Sequence, residues 1–332
     1  MKNKFLPLLL CGLFLGGSFT FTSCGGDNQI HVCAPDGAPA LALGKLLSED
    51  SADDGIEYTV TTSNLITTFV TGRGSQADVC ILPVNAASIL PDFAETYQMI
   101  GLATHGNLYF LSAYDTQYTR DNIGDLKGKK IGVVNFNNVP GLALRATFAD
   151  LGVMYVTDES AFTPDNVYLY QVNPIQVKPT GTADLYLCPE PKVSDKLQEF
   201  AADGFAVVGD LQDLYGGEIG YPQAAVVAKK SFIEGNPEKF AEIINGLTQC
   251  ESYLSTASIA EICMAVASHR EKNMTADFTQ DTLTRKCIAR SNVRFERSAD
   301  CYQRVNAFLQ KLSQIDGTKA NVVDESFYYF ED

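Results

Sequence analysis

Short apolar runs alternate along this chain with segments spaced for one helical face, and that alternation constrains the fold more than any other feature. Residues 30–34, 56–60, 79–82, 99–102 and 108–112 read as strands. Among the first three lie a helix opened by Pro39, with Leu43, Leu46 and Leu47 on its buried stripe, and a shorter helix. The shorter one carries Leu65, Ile66, Phe69 and Val70 on one face and is expected to be capped by Ser63 or Asn64. A second unit opens in DLKGKKIGVV (125–134). It continues through a polar loop into a helix carrying Leu144, Phe148 and Leu151, which stops at Gly152. Residues 167–171, 185–188 and 206–209 complete its strands. The last third is mostly helical: Phe240, Ile243, Ile244 and Leu247 form one stripe, Val305, Phe308, Leu309 and Leu312 another, and Ser258 with Glu261 makes a capping box. The pattern predicts an α/β fold with mostly parallel sheets.

The first residues decide the compartment. Lys2 and Lys4 precede the apolar stretch 5–14, which is too short to span a bilayer, and small residues follow up to Ser23-Cys24-Gly25. The segment resembles a bacterial lipoprotein signal (1–23), in which Cys24 is lipidated and becomes the mature N-terminus; Phe21 departs from the aliphatic residue usual there. An ordinary cleaved secretory signal is the alternative. The expectation is an extracytoplasmic protein held on a membrane by its acyl chains, at about 0.8 kcal/mol per buried CH₂.

Removing two lysines with the signal leaves 23 basic against 40 acidic residues, a charge of −17. So acidic a surface argues against nucleic acid as a partner. No CxxC, HxH or HExxH occurs, so no metal is expected. Cys33, Cys80 and Cys188 sit in apolar runs as small buried hydrophobes, whereas Cys250/Cys263 or Cys287/Cys301 are candidates for pairing. The mature length exceeds what one core usually serves and predicts two domains.

No local signal supports catalysis: GxSxG, GxxxxGK[ST] and GxGxxG are absent. Three strand-to-helix loops stand out instead, Asp36-Gly37-Ala38-Pro39, Thr62-Ser63-Asn64 and Asn138-Val139-Pro140-Gly141. Each sits where a helix begins, and free N–H groups of a first turn favour polar or anionic ligand groups. In open α/β sheets such loops crowd the carboxyl edge where ligands lie. Each alone is equally a competent turn or cap.

The order of APDGAPALALGKLL (34–47), QADVCILPVNAASIL (76–90), DLKGKKIGVVN (125–135), GTADLYLCPEPKVSDKL (181–197) and YPQAAVVAKKSFIEGNPEKFAEIINGL (221–247) resembles the type II periplasmic solute-binding proteins. The branch it most resembles serves ABC importers of sulfonates, nitrate or thiamine-pyrimidine precursors. The resemblance implies two lobes, each a mostly parallel sheet flanked by helices, hinged by two crossover strands. Domain I would cover 28–112 plus 222–332 and domain II 113–221. It further implies a first-lobe site of Asp36, Gly37, Ala38, Ser63, Asn64, Pro83 and Asn85. The second-lobe site would use Asn135, Asn138, Val139, Pro140 and Glu190, with Tyr221 at the cleft. Each has a plainer reading: Asp36, Pro83 and Asn85 as turn formers, Glu190-Pro191 as a helix cap.

The function implied is that of a monomeric, lipid-anchored receptor. It would need no cofactor, would capture a monoanionic or heteroaromatic small solute and would deliver it to an ABC transporter permease. Two other readings stay open: an enzyme on the same fold, of the menaquinone or pyrimidine pathway type, and an interaction lipoprotein whose cleft has lost its ligand. The tail from about 270 onward has no counterpart in the resemblance.

Overall fold

The computed structural model describes residues 29–51, 54–71, 76–217 and 219–331; the leader and Cys24 lie outside them. Two six-stranded sheets organise the chain. The first is built from β1 (Ile30–Pro35), β2 (Ile56–Thr61), β3 (Val79–Pro83), β4 (Tyr97–Thr104), β11 (Ala224–Lys229) and β12 (Val293–Arg297), in the order β12-β4-β11-β3-β1-β2. The second holds β5 (Leu108–Ser112), β6 (Lys130–Val134), β7 (Tyr155–Val156), β8 (Val167–Val172), β9 (Leu185–Pro189) and β10 (Ala206–Asp210), in the order β10-β5-β9-β6-β8-β7. Both sheets are mixed. β11 runs against β3 and β4, β12 against β4, and β5 against β9 and β10, whereas β2-β1-β3 and β9-β6-β8-β7 are parallel.

The domain boundary needs correction. Leu108–Ser112, expected to end domain I, pairs with β9 and β10 in the second sheet, so the first crossover is the short link 105–107. An all-buried strand carries no mark of which sheet it joins. The chain re-enters the first sheet at β11.

Strand β12, absent from the sequence expectation, completes the first sheet's edge. Its VRFER pattern alternates too little apolar character to announce a strand. It belongs to the tail from about 270, which packs onto the first sheet and onto a helix of the second lobe. Residues 269–271 extend the β2 edge through Val60 N to His269 O (2.8 Å) and Glu271 N to Val60 O (2.9 Å). Helix Ser298–Ile315 packs on β4 of the first sheet and also on helix Val139–Asp150 of the second lobe. Its buried face supplies Val305, Phe308, Leu309 and Leu312 to a core shared by Leu82 and Leu102 on one side and Phe110 and Ile131 on the other.

Short-range signals behave as expected. Gly152 (φ +68°) follows the last turn of helix 139–150, and the Ser258–Glu261 box closes with bonds of 2.7 and 3.2 Å. Ser63 and Asn64 do not cap the next turn, whose N-cap is Leu65. None of the seven described cysteines is paired; all are buried, and desolvation pushes the thiols of Cys33, Cys250, Cys287 and Cys301 up to about 12. Among the described residues no helix is long and apolar enough to cross a membrane, and no group of His, Cys, Asp and Glu is arranged to hold a metal ion.

Candidate binding cleft

Parallel strands present their carboxyl ends to the same edge of a sheet, and here the two edges face each other. Loops after β1, β2 and β3 in one lobe and after β6, β8 and β9 in the other enclose a cleft of about 380 Å³. The crossovers form its floor. Asn107 precedes β5 and Gln223 precedes β11, and Gln223 Nε2 donates to Asn107 Oδ1 at 2.7 Å. Asn107 in turn exchanges bonds with Glu190, Nδ2 donating to its carbonyl (3.0 Å) while the Glu190 N–H donates to the Asn107 carbonyl (2.9 Å).

On the first-lobe wall, Gly37 occupies φ +93°, a left-handed value that a β-carbon would strain, and opens helix Ala38–Ala42. Asp36 is 6 % exposed and binds inward. It accepts from Gly37 N (2.9 Å), Asp277 N (2.8 Å), Arg270 Nε (2.9 Å) and Arg270 Nη2 (3.1 Å). It is thus both a turn former and the anchor of the tail. Ser63 and Asn64 are exposed on this wall and free of capping duty. Pro83 completes the wall at the end of β3.

On the second-lobe wall, Asn135 adopts φ +59°, a conformation asparagine tolerates, and its carbonyl accepts from Asn138 N at 3.0 Å. Asn138 is the N-cap of helix 139–150, yet its side chain makes no capping bond. Val139 and Pro140 form the first turn beside it. Gly141 is required by close approach, since a β-carbon there would sit 1.9 Å from the Phe136 carbonyl oxygen.

Glu190 lines the cleft with its backbone, but its carboxylate turns away. Ser194 N (2.9 Å) and Ser194 Oγ (3.0 Å) donate to it, and Arg290 lies 3.7 Å off. Burial raises its pKa above the usual carboxylate range. The cap reading therefore describes the Glu190 side chain.

Two expected residues fall outside the cleft. Asn85 is 2 % exposed and donates to the Lys319 carbonyl at 2.8 Å. Tyr221 is fully buried, donates to Gln212 Oε1 (3.2 Å) and stacks on Phe308 with ring centres 5.6 Å apart. The family resemblance implies Asn85 at the cleft, and the return of the chain at 221–227 implies Tyr221 there. Helix Val84–Ile89 turns Asn85 away, and the apolar core claims the Tyr221 ring. Conversely, Asn107, Asn173, Lys192, Gln223 and Asp277 line the cleft without having been anticipated. The crossover position of Asn107 and Gln223 was the one available signal, while Asp277 arrives from the tail and had none.

No protein-family model matches this chain, and no curated protein matches it. Solved structures do. An ABC transporter structure from Parabacteroides distasonis is 17 % identical with a TM-score of 0.68, covering 92 % of this chain and 100 % of that one. The periplasmic aliphatic sulphonate-binding protein SsuA from Escherichia coli gives 13 % and 0.61, covering 92 % and 93 %. The alkanesulfonate-binding protein SsuA from Xanthomonas axonopodis pv. citri, bound to MOPS, gives 14 % and 0.56, covering 89 % and 96 %. At such identities the likeness is one of fold, and two mixed α/β lobes closing on one cleft give this chain the periplasmic-binding-protein fold.

Proposed function

We propose that the protein is an extracytoplasmic, lipid-anchored receptor that captures a small solute in the interlobe cleft and delivers it to an ABC transporter permease. The observation that carries this reading is the convergence of loops from both lobes on one cleft whose exposed polar groups are mostly neutral amides and a hydroxyl. Such a wall binds and orients without supplying a nucleophile–base pair. The volume suits a solute of small-metabolite size. The chain crosses between the lobes at 105–107 and again before β11, beside the cleft, which is where a hinge would let the lobes close on the solute.

Calorimetric titration against a panel of small sulfonates, pyrimidines and nitrate tests the reading. Saturable binding of one class with the solute recovered unchanged is expected. Turnover would replace it with the enzyme reading, and silence across the panel and a wider metabolite set with that of an interaction lipoprotein.

A further inference from the structure

The tail contributes one group to the cleft that the fold leaves without a partner. Asp277 is carried on the loop after residue 270, pinned by its own N–H to Asp36 Oδ2 (2.8 Å) and by the buried Phe278 beside it. Its Oδ2 points at the strand-to-helix loop of the first lobe, 3.4 Å from where a β-carbon on Gly37 would stand.

The nearby cations are all engaged. Arg270 grips Asp36 with two nitrogens, donates to the Phe278 carbonyl (3.1 Å) and lies over the Phe278 ring at 4.7 Å. Lys192 holds Asp195 at 3.2 Å, and Arg290 faces Glu190. Among the described residues the Asp277 carboxylate receives no hydrogen bond and no ion pair. Burial first, and then the neighbouring Asp36 charge, raise its pKa, opposed by Lys192 and Arg270. Being only half-buried on the cleft wall, the carboxylate stays accessible from the cleft and is open to a donor on a bound solute.

A second unpartnered acceptor belongs to a residue of the same cleft. The Asn107 amide is oriented by its exchange with Glu190, so its Oδ1 must take the proton of Gln223 Nε2. That fixes the Gln223 amide and leaves Gln223 Oε1 buried without a partner. Acceptors, not donors, are what this part of the cleft has in surplus.

We propose that Asp277 is a specificity-determining residue that selects solutes bearing a nitrogen hydrogen-bond donor, an ammonium or a ring amino group, seated against its carboxylate. This rests on the cleft being a solute site, and it deepens that reading by excluding plain anions such as nitrate as the preferred cargo. A bond to a charged acceptor contributes roughly 1.5–3 kcal/mol, about ten- to a hundred-fold in affinity.

The test titrates the full mature protein, and its Asp277→Asn variant, with two matched pairs. These are 2-aminoethanesulfonate against ethanesulfonate, and cytosine against pyrimidin-2-one. The Asp277 side chain makes no internal bond, so the variant is expected to unfold as wild type does, which denaturant titration checks. In one pair the amino member should bind wild type at least tenfold tighter than its partner, and Asp277→Asn should erase that preference. Preference in the aliphatic pair identifies an ammonium, in the ring pair an amino heterocycle. Equal or tighter binding of the desamino member, or a preference that survives in Asp277→Asn, overturns the inference and leaves the solute-receptor reading intact. Silence from all four probes also overturns it, and the receptor reading then stands or falls on the panel titration alone.

Discussion

Asn85 donates its amide to a carbonyl 234 residues away, tying helix 84–89 to the segment after helix 298–315. Asn85→Ala should therefore lower unfolding free energy by about 1–2 kcal/mol in urea titration while leaving solute affinity unchanged. Asn64 and Asn138 should behave in the opposite sense. Each lies on the cleft with no structural bond from its side chain, one from each lobe. Asn64→Ala and Asn138→Ala are expected to weaken binding of the true solute about tenfold or more by calorimetry, with the apo melting temperature nearly unmoved. His105 offers a pH test. It is buried at the crossover, its Nε2–H donates to the Arg294 carbonyl (2.9 Å), and desolvation lowers its pKa from 6.5 to about 4. The unfolded chain takes up that proton first as pH falls, so stability should be lost between pH 6.5 and about 4. The full loss is about 3 kcal/mol. Comparing His105→Gln with wild type by denaturant titration at each pH isolates this loss, because the variant lacks it while sharing every carboxylate that titrates in the same window.

At the scale of elements, helix 139–150 positions the second-lobe wall and depends on Gly141. Gly141→Ala would force the β-carbon into the Phe136 carbonyl, so the 135–138 loop must move. A loss of more than about 1 kcal/mol in stability is expected, together with weaker solute binding. Gly235→Ala, where nothing lies within 4 Å, is the matching neutral control. Helix 298–315 ties the lobes from behind. Phe308 is fully buried, stacks on Tyr221 and meets Tyr215 edge-on at 5.9 Å. Phe308→Ala should cost about 3–5 kcal/mol by denaturant titration. Most elements were legible from local pattern, because a buried strand must be apolar throughout and a packed helix must repeat its apolar face. Strand β12 was not, since a polar edge strand is defined by the neighbour it pairs with.

For the whole molecule, the core shared through helix 298–315 predicts one cooperative thermal transition, and two resolved calorimetric transitions would contradict it. Outside the described residues, Cys24→Ser is expected to abolish acyl labelling and leave precursor in cells, and unchanged processing would point to a plain secretory signal. The sequence alone determined the α/β class and marked the strand-to-helix turns, because both follow from short-range periodicity and from residues able to turn a chain into a helix. Tertiary structure decided the rest. Whether Leu108–Ser112 joined the first or second sheet, and whether Asn85 and Tyr221 faced ligand or core, depended on contacts between distant segments. The same holds for Asp277, which reaches the cleft because Asp36 and Arg270, 234 residues apart, meet as an ion pair that no local spacing encodes.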